Sequence, residues 1–495
     1  MTLHPAVPQP VLGLLSSLAP EHGVRVGGER RSAAAGRTSR IVDPGTGTSV
    51  AEIADADEAD ALAAVDAAAA AFPAWAAMPP RRRSEVLRRA YELLVSRSET
   101  LAALISLENG KALPDARAEV RYAAEFFRWF SEEAVRPDGH YGPAPDGGAR
   151  IVVTSRPVGV AALVTPWNFP AAMATRKLGP ALAAGCTVVL KPAAETPLTA
   201  LAVADILTEA GAPPGVVNVV PTTRPADVVS AWLSDQRVRK ISFTGSTGVG
   251  RTLLAQAAAR VVNSSMELGG NAPFVVAADA DVDAAVAGAL VAKFRNGGQA
   301  CTAANRFYVH EKVLGNFTAR FGQAIRSLKV GHAFDPGTEI GPVISLGAAD
   351  RIGSLVDGAL AEGATLADMA AAPRSGGSFV APTLLTDVPG DASILRDEIF
   401  GPVAPIVSWA SDEDLLEQVN ASELGLAAYV YATDLAWALH LGERIEAGMV
   451  GVNRGVVSDP AAPFGGVKQS GLGREGAREG IREFCEVQYL SVDWE

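Results

Sequence analysis

Between residues 158 and 250, short apolar runs alternate with longer stretches of helical character, and this alternation constrains the fold more than any other feature. The runs 158–164, 187–190, 216–220 and 240–243 each precede a loop and a helix-like stretch. Runs that are apolar throughout, with no in–out alternation, belong to strands covered on both faces, which is the pattern of a parallel sheet wrapped by helices. A Rossmann-type, nucleotide-binding α/β unit is the architecture this predicts. A second α/β region follows from about 271 to 452, with strands at 274–276, 306–309, 403–407 and 428–431. No internal repeat interrupts either region, and 495 residues allow about three structural units.

The first third reads as a short sheet region followed by helices. Residues 52–72 are Ala-rich with an acidic opening. Val86, Leu87, Ala90, Leu93 and Leu94 fall at helical spacing, as do Val120, Ala123, Ala124, Phe127 and Phe130. These faces read as core. The helices are predicted to end near Pro137-Asp138-Gly139, and Gly142, Pro143, Pro145, Gly147 and Gly148 predict a loop after them. The segment 150–155 has the composition of an exposed strand, suited to a hairpin or to an arm reaching a second copy.

Charge and cysteine usage narrow the class. The 43 Lys and Arg against 55 Asp and Glu give −12, which argues against a general nucleic-acid binder, because phosphate backbones are held by clustered positive charge. Three widely spaced cysteines, Cys186, Cys301 and Cys485, exclude a disulfide framework or Cys-rich zinc site and favour a reducing compartment, the cytoplasm. The apolar stretch 11–18 is far shorter than the ~20 residues of a membrane helix and has no Lys or Arg before it. No H-E-x-x-H, C-x-x-C or Walker A pattern supports metal or ATP chemistry.

Four local motifs carry chemistry. Phe243-Thr-Gly-Ser-Thr-Gly-Val-Gly250 places three glycines between a strand and a helix, where bare backbone and a helix N-terminus can receive a phosphate, although the spacing is G-x-x-G-x-G. Cys301 follows a Gly-Gly pair, in backbone free to bend, and cysteine is the strongest common nucleophile near neutral pH. Glu267, set among Met, Leu and Gly, acquires a raised pKa if buried and then suits a general base. Asn168 stands in a turn between two prolines, which fixes an amide donor. Cys186 and Cys485 read as small buried hydrophobes.

Thr165-Pro-Trp-Asn-Phe-Pro170, Lys191-Pro192, Phe243-Thr-Gly-Ser246, Glu267-Leu-Gly-Gly-Asn271, Gly298-Gln-Ala-Cys301, Glu398-Ile-Phe-Gly-Pro402 and Pro463-Phe-Gly-Gly-Val-Lys-Gln-Ser-Gly471 run in the order found in the aldehyde dehydrogenase superfamily, which the chain resembles over nearly its whole length. The resemblance implies covalent oxidation of an aldehyde. Cys301 would attack the carbonyl as a thiolate, and Asn168 with the Cys301 backbone N–H would hold the oxyanion. The thiohemiacetal would pass hydride to a nicotinamide, and Glu267 would activate the water that releases a free acid. Lys177, nine residues beyond Asn168, matches a lysine of cofactor placement and proton relay.

For the cofactor, the resemblance assigns Lys191 to the adenosine ribose, Gly245, Ser246 and Gly250 to the phosphate turn, and Glu398 to the nicotinamide ribose. Thr165, Pro166, Trp167, Ala194, Glu195, Leu268 and Phe400 complete the implied set. Relatives that prefer NAD often carry Glu three residues after the lysine; here that position is Ala194, and Glu195 comes one later. Losing a carboxylate that would repel a 2′-phosphate tilts the reading towards NADP over NAD.

The substrate reading rests on a closer likeness, to succinate-semialdehyde dehydrogenases, in Phe169-Pro-Ala-Ala-Met-Ala-Thr-Arg-Lys177, Lys293-Phe-Arg-Asn296, Cys301-Thr-Ala-Ala-Asn-Arg306 and Gly471-Leu-Gly-Arg-Glu-Gly476. It implies that Arg176, Arg295 and Ser458 bind a distal carboxylate, to which the planar arginine fork is suited. Arg176 and Lys177 are neighbours on a helix and point about 100° apart, so they are expected to serve separate roles. Asp459, beside Ser458, would oppose an anionic substrate if it faced the pocket.

Where some relatives carry a second cysteine two residues after the nucleophile, this chain has Ala303, so direct oxidation of Cys301 is the expected redox liability. Glutarate semialdehyde or a neutral aldehyde are the alternative substrates. A catalytically silent nucleotide-binding protein and a cofactor-free cysteine hydrolase are the alternatives from other classes. The implied organisation is a cofactor-binding domain of 1–133 and 156–263, a catalytic domain of 264–470, and β oligomerisation segments at 134–155 and 480–495, in a homodimer or homotetramer.

Overall fold

The structure, a computed structural model, describes residues 4, 7–17, 23–136, 138–373 and 376–493. Two sheets organise it. The first has eight strands, and its centre is five parallel strands, Val160–Val164, Thr187–Lys191, Val217–Val219, Val238–Thr244 and Asn263–Glu267. Numbered along the chain, these lie in the sheet order 3-2-1-4-5. That is the doubly wound Rossmann order, and it creates a switch point where strands one and four lie side by side and their chains leave in opposite directions. Val164 and Thr244 end those two strands, so the crevice opens between residues 165–168 and 245–246.

The second sheet has seven strands, of which Thr383–Thr386, Val403–Trp409, Ala304–His310, Ala272–Val276, Ala427–Tyr431 and Met449–Val452 are parallel neighbours and Thr365–Met369 is an antiparallel edge. Both central regions are apolar without alternation because helices cover both faces. The linkage between the sheets is short: Glu267 ends a strand of the first and Ala272 starts a strand of the second, so 268–271 spans the cleft.

A third, three-stranded antiparallel sheet stands apart. Arg150–Pro157 pairs with Gly139–Pro143 on one side and with the C-terminal strand Cys485–Val492 on the other. Val487, Tyr489 and Leu490 on the last strand are 73%, 57% and 45% exposed.

Several elements differ from the sequence expectation. The Ala-rich stretch 52–72 divides between two elements: residues 48–54 form a strand, Thr48–Ala54, and a helix starts at Glu58 because Asp57 caps it, accepting from the Ala59 and Asp60 amides. The predicted loop after residue 139 begins as a strand, which survives its glycines and proline because it lies at a sheet edge. The helix carrying Val120 to Phe130 ends at Glu133; Pro137 lies outside the described residues. Helix Ser98–Asn109 had no sequence prediction, and Gly110 stops it at φ 87°. No single helix among the described residues is long and apolar enough to cross a membrane.

Candidate active site

The nucleophile loop gets its shape from backbone few residues accept. Asn296, Gly297 and Gly298 all have positive φ, and a side chain on Gly298 would meet the Gly401 carbonyl at 2.2 Å. Asn tolerates this conformation, and here its groups are tied down: its N–H donates to Asp115 Oδ2 (2.7 Å) and its Nδ2 to the carbonyls of Asn168 (2.9 Å) and Gln299 (3.2 Å). Gln299 Nε2 returns a bond to the Asn296 carbonyl at 3.1 Å. Cys301 therefore leaves a locked turn.

Asn168 faces it from the end of the first parallel strand. Its Nδ2 donates to the Gln299 carbonyl (3.1 Å), which holds the amide over the loop and leaves one N–H for the cleft. Its own carbonyl accepts from Lys111 Nζ at 2.6 Å, and Lys111 is a buried partner of Glu119 at 2.5 Å. Glu119 also accepts the Ala171 and Ala172 amides at the start of helix Pro170–Ala184. One buried ion pair thus fixes both the amide and the helix behind it.

Glu267 is buried, and neither carboxylate oxygen has a partner among the described residues. Burial first, then the charge of Glu475, raise its pKa well above the ordinary carboxylate value, against the pull of Arg176 and Lys177. Glu475 goes the other way: burial alone would raise it, but Arg176 and Lys177 hold it below the usual range. Two neighbouring carboxylates with pKa values pushed apart are the arrangement of an acid–base site. Cys301 is a thiol at rest. Burial pushes it up to about 12, Arg176 and Arg295 oppose that rise, and the Glu267 and Glu398 carboxylates reinforce it. The expected attacking thiolate forms only when a base takes the proton.

Arg176 and Lys177 were expected to act separately, yet both reach Glu475: Arg176 Nε pairs with Oε2, and Lys177 Nζ with Oε1 at 2.5 Å. Glu475 lies between the two directions and bridges them. Lys177 also donates to Ser242 Oγ at 2.9 Å. The Arg176 guanidinium stacks 4.1 Å over the Phe464 ring, and Arg295 lies 5.3 Å from the Phe169 centroid. Ser458 stands in the loop after strand Met449–Val452, and Asp459 is exposed, with its carboxylate accepting the Ala461 amide at 2.9 Å.

Two joined cavities occupy the switch-point crevice. The outer, about 540 Å³, is lined by Thr165, Pro166, Lys191, Ala194, Glu195 and Gly245, among others. The inner, about 320 Å³, has Trp167, Asn168, Ser246, Leu268, Cys301, Glu398 and Phe400 in its wall. Ser246 caps helix Thr247–Ala258, so that helix presents its N-terminal amides to the crevice. Gly250 sits one turn in, on the packing side, where a side chain would meet Leu268 at 2.4 Å. Lys191 is buried with its pKa lowered to about 8, by desolvation and against the charge of Glu195, and its Nζ rests on the Pro192 carbonyl at 2.9 Å. Burial lifts Glu398 to about 7, and its Oε1 accepts the Gly270 amide at 3.2 Å. An elongated crevice with a helix N-terminus at its middle, a buried lysine at one end and a half-buried carboxylate beside the thiol at the other suits a dinucleotide.

Sequence reasoning singled out neither Glu475, Lys111, Glu119, Asn296 nor Tyr122. Glu475 sits inside Gly471-Leu-Gly-Arg-Glu-Gly476, where a carboxylate among glycines was a usable signal. Lys111, Glu119 and Tyr122 are ordinary residue types in or beside ordinary helices, and the signal for Asn296 was the Gly-Gly pair that follows it.

Comparison with known proteins agrees with this geometry. The aldehyde dehydrogenase family model matches residues 31–490. The chain is 53% identical over 443 residues to the succinate-semialdehyde dehydrogenase of Paenarthrobacter nicotinovorans, covering 90% of this chain and 98% of that one. It is 44% identical over 457 residues to the glutarate-semialdehyde dehydrogenase of Pseudomonas aeruginosa, covering 92% and 94%. It superimposes on the crystal structure of an NADP-dependent enzyme from E. coli with a TM-score of 0.94, at 44% identity and coverage of 97% and 99%. With the crevice, the locked cysteine and the paired carboxylates in their places, this chain belongs to the aldehyde dehydrogenase family.

Proposed function

We propose that the protein oxidises a semialdehyde bearing a distal carboxylate, succinate semialdehyde foremost, to the free acid with NAD(P)+. The observation that carries this is the convergence of two guanidinium groups on the thiol: Arg176 and Arg295 both bear electrostatically on Cys301, from different elements. A neutral aldehyde would gain nothing from two cations there, whereas a carboxylate would be held by planar forks. Asp459 is exposed and its carboxylate accepts the Ala461 amide, so the carboxylate that pairs with Arg176 is Glu475. Similarity to succinate- and glutarate-semialdehyde dehydrogenases supports the same class.

The chain's own groups divide the work. Asn168 Nδ2 and the Cys301 amide point donors at the developing oxyanion, where removing one costs typically ~3 kcal/mol. Glu267, with its pKa raised by burial and by Glu475, is a stronger base than an ordinary carboxylate and takes a proton first from the thiol and later from the water that releases the acid. Lys177 and Glu475 hold that region electrostatically. Lys191, Ser246 and Glu398 would hold the cofactor at its adenosine, pyrophosphate and nicotinamide ends, with Thr165, Pro166, Trp167, Leu268 and Phe400 as walls. The bound nicotinamide supplies the hydride acceptor.

NADP+ is the cofactor we favour, supported by Ala194 in the crevice wall in place of a carboxylate and by the likeness to an NADP-dependent enzyme. The division we favour is 1–133 with 156–263, 264–470, and 134–155 with 480–495; the three sheets support it in outline, with strands Asn263–Glu267 and Arg150–Pro157 running across its boundaries. The exposed apolar strand Cys485–Val492 supports a homodimer or homotetramer, and the three free cysteines support a cytoplasmic setting. The test is reduced-nicotinamide absorbance with succinate semialdehyde, glutarate semialdehyde and butanal. The semialdehydes should give the higher kcat/KM, and Arg295→Ala should abolish that preference; a wild type that favours butanal would refute the reading.

A further inference from the structure

In the carboxylate reading Arg176 offers only part of its fork. The Nε edge of Arg176 faces Glu475, and its Nη2 lies 3.3 Å from Met173 Sδ, so much of the fork is taken before a substrate arrives. A carboxylate with about four lone-pair directions leaves room for a further donor beside Arg295 and Ser458.

Tyr122 fills that place. It stands on helix Leu113–Glu133, with its ring held edge-on by Phe126 at 4.9 Å between centroids. Its hydroxyl is buried and has no aligned hydrogen-bond partner among the described residues. The groups around it are Arg176, Arg295 and Ser458, the same three assigned to the distal carboxylate. Arginine can only donate, so neither guanidinium can accept the Tyr122 proton, and Ser458 is the one possible acceptor among them. Burial keeps the phenol protonated. A buried hydroxyl beside two cations, with only Ser458 to take its proton, has a donor to offer an anion.

We propose that the Tyr122 hydroxyl is a specificity-determining group of this enzyme, donating a hydrogen bond to the distal carboxylate of the substrate alongside Arg176, Arg295 and Ser458. The proposal rests on the carboxylate reading above and deepens it. A site whose polar groups are satisfied only by the correct substrate rejects the analogue that lacks the partner. Tyr122 therefore discriminates against neutral aldehydes as well as holding acidic ones.

Tyr122→Phe removes one oxygen and keeps the ring, so its thermal melt should match wild type. With succinate semialdehyde, KM should rise about tenfold or more, as expected for a lost hydrogen bond to a charged group, while kcat stays within twofold. With butanal, kcat should stay within twofold and KM should hold or fall, because the variant leaves no polar group unpaired beside a neutral chain. Equal losses on both substrates would indicate a structural role and overturn the proposal, as would an unmoved KM for succinate semialdehyde in a variant of an enzyme that still prefers it. A wild type without preference for the semialdehyde would overturn the carboxylate reading itself, which the first comparison separates from the second.

Discussion

Gly270→Ala tests how tightly the cleft-spanning segment fixes the nucleophile. Gly270 lies between the two sheets, and a methyl group added there would meet the Cys301 carbonyl oxygen at 2.2 Å and Leu426 Cβ at 3.2 Å. An ordinary C···O contact is about 3.3 Å, so the nucleophile's backbone must retreat by roughly 1 Å. The segment itself cannot yield cheaply: the Gly270 amide is bound to Glu398, Leu268 N–H donates to the Ser470 carbonyl at 2.9 Å, and Asn271 Nδ2 to the Leu395 carbonyl at 2.8 Å. The φ of Gly270 is outside the left-handed region, so the effect is steric and not conformational.

A displacement of about 1 Å at a reacting group costs on the order of 100-fold in rate, or about 2.7 kcal/mol. Overpacking the same site should lower stability by about 1–3 kcal/mol. Steady-state kinetics with succinate semialdehyde and urea denaturation, run on one preparation, read the two effects. Gly315→Ala is the control: it is exposed inside helix Glu311–Ser327 with nothing within 4 Å of the added methyl, and should gain about 0.5–1 kcal/mol with unchanged kinetics. If Gly270→Ala stays folded and keeps kcat/KM within threefold of wild type, the loop is not fixed by this contact and the reasoning is wrong.

Asn168→Ala should lower kcat by about 100-fold or more through the lost oxyanion donor, with a smaller change in KM; equal turnover would remove Asn168 from the mechanism. Glu119→Ala, which touches no substrate, leaves Lys111 buried without its counter-ion and should destabilise by about 3–5 kcal/mol in urea titration while lowering kcat through Asn168. With its pKa near 12, Cys301 in the free enzyme should react with iodoacetamide about tenfold faster for each pH unit from 7 to 9; a plateau within that range would contradict a thiol held protonated at rest. Lys293 is buried against Asn305 with its pKa lowered to about 7 by desolvation, so the unfolded chain binds its proton where the folded one does not. Its stabilising contribution is full above the ordinary lysine value and lost as pH falls through about 7. Wild type should therefore gain on Lys293→Met by about 1.4 kcal/mol per pH unit between about pH 7.5 and 9, and parallel stability curves would refute this.

The parallel strands were legible because burial on both faces forces their composition: Val160–Val164 and Ala427–Tyr431 are buried at every position and could be read from apolar runs alone. Strand Gly139–Pro143 was not legible. Its sequence is Gly-His-Tyr-Gly-Pro, and it pairs because Arg150–Pro157 presents an edge to it, not because of anything in its own residues. Helix Ser98–Asn109 went unread because nine of its twelve residues are buried, which erases the amphipathic period.

The site divides along the same line. Cys301, Asn168 and Glu267 were visible because each needs unusual backbone around it, and glycine and proline mark such backbone in a sequence. The groups that set their chemistry are ordinary: a lysine and glutamate behind Asn168, a tyrosine on a helix, a glutamate nearly three hundred residues from the arginine it pairs with. The bridging of Arg176 and Lys177 by Glu475 shows the consequence. Local helix geometry correctly sends the two side chains apart, but a third residue placed by the fold lies between their directions and joins them. Whether Glu267 is basic, and whether Cys301 rests as a thiol, follows from that long-range placement. Motifs identify the reacting atoms, and packing between distant segments sets their protonation, so substitutions at Glu475 should reshape the pH profile of this enzyme more than its list of reacting groups.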